Sequence, residues 1–390
     1  MWLAERAEMH DFLRWFVSRR PPQTGFEMKE YKGCDRASKS DARGAWFWRS
    51  SASLCLLSCL FASTVAFTSL PALSDPFRIG GVEYLGDLPT FIAERDGHFA
   101  RHHADVEVIT SGSGRETLGQ LRAGEIDFAL MAMTPLVFDA LANPARDGPD
   151  TPVILANLSH VRPVIHLMLL DAGDVPLKDA LRGRTVGVPR GTNADYVLHV
   201  TARIAGLSEG DYTLLDMDPE EMSDALAAGR VDAVSVWDPW AFRLRNRFGD
   251  RLREEPDTGN YVSRWLLVTR KEVAETDTGH TRAILHAYRD AVDWIQANPE
   301  AALAAHEMRI SDLRAIPRSR DVDLLFDVTL DWSMIVSFRQ QLAWAIRSMN
   351  VSDGEMPSVM DMVAPGPLAT VAPGAITIPY LPEDSGRQDK

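Results

Sequence analysis

The sequence predicts an α/β fold: two similar lobes with mainly parallel sheets around a ligand cleft, and a helical C-terminal part. Three observations carry this. From Phe77 onward short apolar runs alternate with amphipathic stretches, as strands alternate with helices. Leu121-x-Ala123-Gly124-x-Ile126-Asp127 returns 105 positions later as Leu226-x-Ala228-Gly229-x-Val231-Asp232, so the alternating pattern occurs twice. From about 271 to 347 the apolar residues fall at helical spacing.

Taken in order, FRIGGV from Phe77 reads as a strand and DLPTFIAERDG as a helix stopped by Gly97. ADVEVITSGSG is a strand running into a small-residue loop, RETLGQLRAG a helix stopped by Gly124, and IDFALMAMTP a strand. The second series starts near Val164: IHLMLL and RTVGVPRG are strands, and TNADYVLHVTARIAG is a helix stopped by Gly206. YTLLDMD, PEEMSDALAAG and VDAVSVWDP follow as strand, helix and strand. In the third region Ala283, Ala287, Val292 and Ile295 share one helical face, and Leu324, Leu325, Val328, Trp332 and Ile335 suggest another. The expected organisation is residues 75–165 plus 265–347 as the first lobe and 166–264 as the second. The Pro/Gly-rich tail, 348–390, is expected to be extended or disordered.

Residues 1–74 differ from the rest. They hold ten Lys/Arg against seven Asp/Glu, and a basic flank precedes the apolar run SASLCLLSCLFASTVAFTSLPALS. This is the pattern of an export signal, with cleavage expected near Ser74; a single transmembrane anchor is the other reading. The whole chain carries a formal charge of −14, which argues against nucleic acid as a partner. Its three cysteines, Cys34, Cys55 and Cys59, all lie in that leader, so the body has no thiol nucleophile and no cysteine metal site.

In open α/β sheets ligands bind outside the carboxyl ends of the strands, where helix N-termini leave backbone N–H groups unpaired. That rule selects Tyr84, Gly86 and Asp87, then Ser111, Gly112 and Ser113, then Met133 and Thr134 in the first series. In the second it selects Arg190, Gly191, Thr192 and Asn193, and the pair Trp237 and Asp238, the counterparts there of Met133 and Thr134. Small and hydroxylic residues at these points suit an anion or a polar head group, although Ser, Thr and Asn also serve as plain N-caps. Pro239 ends the last strand, which puts Trp237 on its rim as a ligand wall and leaves Trp240 to packing. His160, near the join of the lobes, either meets the ligand or satisfies the hinge. His98, His102 and His103 read as a solvated loop after Gly97. There is no catalytic motif such as G-x-S-x-G, H-E-x-x-H or a phosphate-binding glycine loop.

Gly86-Asp87-Leu88-Pro89, Ser111-Gly112-Ser113, the Leu121–Asp127 segment, Val186-Gly187-Val188-Pro189-Arg190-Gly191-Thr192 and Val231–Pro239 occur in an order and spacing that resemble a known family. It is that of the periplasmic substrate-binding proteins of nitrate/sulfonate/taurine-type ABC transporters, which share a fold with pyrimidine-precursor-binding proteins of thiamine metabolism. The resemblance covers about Phe77 to Phe248. It implies a type 2 periplasmic binding protein: a monomer without cofactor, located in the periplasm, that closes two lobes on a small solute and docks on an ABC permease. Enzymes of this fold, a desulfinase and a pyrimidine synthase, rely on cysteine, which the body lacks; a sensory ligand-binding domain is a further alternative. The selected loops carry several carboxylates and Arg190 as the one obvious cation. An organic solute held partly by Trp237 and Tyr84 is therefore expected, with any anionic group on the helix N-termini.

Overall fold

The computed structural model describes residues 75–144, 146, 148–162, 164–255, 261–309, 323–349 and 357–379. The expected export signal, 1–74, lies outside them. The first lobe begins β1 (Phe77–Val82), α1 (Leu88–Arg95), α2 (His98–Arg101), β2 (Val106–Ser111), α3 (Gly114–Ala123), β3 (Phe128–Ala132), α4 (Met133–Ala142) and β4 (Pro152–Arg162). The second lobe follows as β5 (Ile165–Leu170), α5 (Leu177–Leu181), β6 (Thr185–Val188), α6 (Asn193–Ile204), β7 (Thr213–Asp216), α7 (Pro219–Ala227), β8 (Ala233–Trp237), α8 (Trp240–Phe248) and β9 (Leu252–Glu255). The chain then returns to the first lobe with β10 (Ser263–Arg270), α9 (Lys271–Thr276), α10 (Thr278–Ala297), α11 (Pro299–Arg309), β11 (Asp323–Thr329), α12 (Trp332–Met349) and α13 (Pro365–Val371).

The strands form two sheets, ordered β11-β4-β10-β3-β1-β2 and β7-β6-β8-β5-β9. The repeated segment performs the same task in each. Gly124 and Gly229 end α3 and α7 with φ near +70° (70° and 67°), a conformation that costs glycine little. Asp127 then accepts the Arg78 amide at 3.0 Å and returns its own amide to the Arg78 carbonyl at 2.8 Å. Asp232 does the same with Thr185, at 2.9 and 2.8 Å. A Cβ on Gly80 would lie 2.5 Å from the Ile126 side chain, and one on Gly187 2.6 Å from Met217 and 3.4 Å from Val231. The edge of β1 or β6 is thus locked to the start of the strand two elements on.

Four expectations are corrected. The sheets are mixed rather than mainly parallel: β1 runs parallel to β2 and β3, and β6 to β7 and β8, but β10 is antiparallel to β3 and β4, and β5 to β8 and β9. A strand buried on both faces reads as an apolar run whichever way it points, so the pattern carries no direction. Residues 323–329 are not helical; β11 pairs antiparallel with β4 as an edge strand, and the helical stripe through Leu324 and Val328 was a coincidence of spacing. The tail is not wholly extended. Val359, Met362 and Leu368 are buried, and the Ala364 amide donates to the Ile154 carbonyl at 2.9 Å, fastening 357–379 along β4. The histidine stretch also differs: His98 starts a short helix and is buried, and His102 Nε2 lies 2.8 Å from Asp290.

Candidate functional site

Between the lobes lies a cavity of about 20 Å³, room for roughly one water molecule. Tyr84, Trp237 and Trp265 wall it, Ser113, Arg115, Thr192 and Asn193 bring polar groups, and Val82, Gly114, Ala132 and Pro135 complete the lining. Its lining residues come from both lobes.

Tyr84 stands just after β1. A Cβ on Gly86 would lie 2.3 Å from its ring, so glycine there lets the chain fold under the ring, while Ser159 Oγ donates to the Gly86 carbonyl at 2.8 Å. The Tyr84 and Trp265 ring centroids are 4.7 Å apart. Both residues are buried, and neither the Tyr84 hydroxyl nor Trp265 Nε1 makes a hydrogen bond among the described residues. Leaving a buried donor unmade costs about 1–3 kcal/mol, so these two groups are the most demanding in the cavity. Burial raises the Tyr84 phenol far above its ordinary value, which keeps it a donor.

Two helix N-termini face the cavity. Ser113 caps α3 by accepting the Glu116 amide at 3.2 Å, and Thr192 caps α6 by accepting the Ala194 amide at 3.3 Å. Each leaves backbone N–H groups and a partial positive charge at the opening turn. Asn193 Nδ2 reaches across to Ser263 Oγ on β10 at 3.4 Å. Gly114 is small because a Cβ there would sit 2.7 Å from that of Met131, which lets α3 lie close on β3.

Arg115 spans the cleft. From the first turn of α3 it donates to the Arg190 carbonyl at 3.1 Å and to Asp218 Oδ1 at 2.9 Å, with Asp216 at 3.7 Å. It is a bridge between lobes as well as part of the lining.

Of the residues singled out in the sequence, Tyr84, Ser113, Thr192, Asn193 and Trp237 meet at this cavity. The others are not among its lining residues. Asp87, wholly buried, accepts the Val82 amide at 2.8 Å and the Thr90 hydroxyl. Ser111 donates to Gln120 at 2.8 Å, and the Gly112 amide to Glu116. Thr134 donates to Gln341 of α12 at 2.6 Å, and Met133 Sδ accepts from the same amide. His160 lies 3.2 Å from Asp327, on the hinge side. The Gly191 amide donates to Asp195 at 3.0 Å, and Arg190 turns its guanidinium to the same carboxylate at 2.8 Å. Asp238 accepts from the Phe242 amide and Arg245 at 3.0 and 3.2 Å and faces His166 at 3.4 Å. His166 also meets Glu254 at 2.5 Å. Burial opposes its charge, but the Asp238 and Glu254 carboxylates outweigh burial and push its pKa up to about 9.

The residues missed in the sequence are Arg115, Trp265, Ala132 and Pro135 among others. Arg115 was signalled by its place directly after the Ser-Gly-Ser-Gly loop. Trp265 lies in an apolar strand at the chain crossing, where nothing marks which side chain turns to the cleft.

Comparison with known proteins bears on the family and the fold. The NMT1/THI5-like family model matches residues 87–302. A binding protein of Brucella abortus (strain 2308) is 26% identical over 250 residues, 62% of this chain and 75% of its own. The taurine-binding periplasmic protein of Escherichia coli (strain K12) is 23% identical over 235 residues, 59% of this chain and 70% of its own. Among solved structures, the alkanesulfonate-binding protein SsuA from Xanthomonas axonopodis pv. citri bound to MOPS superposes with a TM-score of 0.59 at 16% identity, covering 74% of this chain and 98% of that one. The desulfurization enzyme DSZB gives 0.53 at 15% identity, covering 76% and 99%. The fold is that of the periplasmic binding proteins. With a family match over more than half its length, the chain belongs to the NMT1/THI5-like family.

Proposed function

We propose that the chain is an extracytoplasmic solute receptor that closes its two lobes on a small organic solute and delivers it to an ABC permease in the membrane. One observation carries this most directly: the N-termini of α3 and α6, from opposite lobes, open into one cavity walled by three aromatic rings. The helix ends suit an anionic head group, the rings an organic body, and Tyr84 Oη and Trp265 Nε1 offer two neutral donors. An organosulfonate or similar oxyanion-bearing solute fits this set, and relatives named for taurine and alkanesulfonate binding support that class.

The non-enzyme reading rests on the lack of cysteine after Cys59 and of any catalytic motif. Periplasmic location rests on the leader and on the periplasmic relatives; among the described residues no helix is long and apolar enough to cross a membrane. A monomer suffices, since both halves of the cavity come from one chain.

A thermal-shift screen of taurine, alkanesulfonates, nitrate, pyrimidines and aromatic acids tests the reading. A solute present at a hundred times its dissociation constant adds about 2.7 kcal/mol of stability. A clear rise in melting temperature with an organosulfonate is expected. No shift from any of them would sink the receptor reading, and turnover of a bound compound, followed by NMR, would restore an enzyme.

A further inference from the structure

We propose that a second cavity, on the flank of the cleft, binds a small zwitterion with an apolar side chain, such as an apolar α-amino acid. This cavity, of about 350 Å³, lies between α12 and the second lobe and is within the size range of small-molecule sites. The second lobe supplies Arg190, Tyr212 and Glu209; α12 supplies Trp344 and Ser348.

The polar groups here are unevenly used. Arg190 Nε donates to Asp195 at 2.8 Å, but its two Nη atoms make no hydrogen bond among the described residues, although the side chain is only 28% exposed. The Tyr212 hydroxyl is likewise without a partner among the described residues on a residue 7% exposed. Burial, reinforced by Glu209 and Asp195, pushes its pKa up to about 12, so it remains a donor. Arg190 and Tyr212 therefore present N–H and O–H donors to a carboxylate. Glu209 accepts from Ser348 at 3.1 Å, lies 3.3 Å from His199 and is about half exposed, which leaves lone pairs for an ammonium. Burial holds His199 below its ordinary pKa, so it adds no competing positive charge at neutral pH.

Charge balance selects the zwitterion. A bare carboxylate would meet Arg190, with Arg203 and Arg347 near by, but also Asp195 and Glu209, and a bare ammonium would meet Glu209 but also these arginines. A ligand carrying both signs matches both. The buried Leu198 and Trp344, the latter packed edge-on against Tyr196 with centroids 5.2 Å apart, give its side chain an apolar wall. The site draws on both lobes, so its ligand would tie α12 to the second lobe. The Arg190 carbonyl receives Arg115, which lines the central cavity, so the two places are neighbours through this one hydrogen bond.

Calorimetry of the whole chain with L-leucine and L-phenylalanine tests this. Binding is expected, with isovalerate and isopentylamine, each carrying one of the two charges, at least tenfold weaker than L-leucine. Arg190→Gln is expected to weaken binding about tenfold or more, Tyr212→Phe a few-fold, and Trp237→Ala not at all. Tyr212→Phe removes a hydroxyl alone, so it decides the matter if Arg190→Gln fails to fold. Absence of binding by either amino acid, unchanged binding in Tyr212→Phe, or loss of binding in Trp237→Ala would each overturn the proposal. The outcome does not depend on whether the solute screen succeeds.

Discussion

In the first lobe Asp127 exchanges two hydrogen bonds with the backbone of Arg78; in the second Asp232 makes the same exchange with Thr185. Gly80 and Gly187 leave equivalent gaps for Ile126 and for Met217 with Val231. Away from the cleft the two copies solve one packing problem in one way. At the cleft they part. Five residues after the shared aspartate the first lobe ends its strand in Ala132 and the second in Trp237, and both line the cavity. The sequence pairing of Met133 with Trp237 is therefore off by one. The equivalent helices α3 and α7 begin behind Ser113 and Asp218; the first leaves its opening turn to the cavity, and the second offers a carboxylate to Arg115 of the first. What the copies share is scaffold, and what they do not share is the site and its bridge.

The largest expected effect is at the strand ends. Trp237→Ala should lower affinity for the solute found in the screen by about a hundredfold, as truncating a buried aromatic anchor does. Ala132→Gly should change it by less than about threefold, since almost no surface is removed. Calorimetry on both checks this; equal losses would break the division between wall and scaffold. Next comes the bridge. Arg115→Ala and Asp218→Ala should each weaken solute binding about five- to tenfold, the half-exposed carboxylate limiting the effect, with the double variant no worse than either. A far larger loss in Arg115→Ala alone would mean that Arg115 holds the solute itself.

The smallest effect concerns the second lobe only. His166, at about 9 when folded, is held above its ordinary 6.5. It therefore contributes stability that is fully present below about pH 6.5 and is lost as pH rises through about 9. Glu254, lowered to about 2 because His166 and Arg245 overcome its burial, works the other way, and its contribution is lost as pH falls from about 4.5 towards 2. Urea unfolding of the native chain should lose about 1 kcal/mol between pH 6.5 and 9, after allowance for the partly exposed carboxylates, and His166→Gln should not. Parallel slopes would remove His166 from the account.

Much of this was legible because backbone rules act locally. Helix stops at Gly97, Gly124 and Gly206, the repeated Leu-to-Asp segment and the strand-end loops follow from φ preferences and apolar spacing. Trp237 was legible because Pro239 marks a strand end. Asp87, Thr134 and Asp238 stand at the right ends of the right elements, but each is claimed by a hydrogen-bond partner, and for Thr134 that partner is Gln341, 207 residues away. A long-range partner leaves no trace in local spacing. Trp265 was hidden for the converse reason, since it reads as core until the opposite lobe is set beside it; Arg115 had a local signal in the loop before it, but its partners Arg190 and Asp218 lie on the other lobe.

The position of β10 bears on how the molecule is made. It pairs with β3 on one side and β4 on the other, so the middle of the first sheet is filled by residues 263–270, which leave the ribosome after every strand of the second lobe. The second lobe is one uninterrupted run and can complete its sheet as soon as Glu255 emerges. The first must hold open a slot between two strands already synthesised, with loop closure over more than a hundred residues still to come. A chain that ends after Arg162 but before Ser263 leaves a split sheet with two unpaired inner edges, on β3 and β4, and edges of that kind recruit other chains.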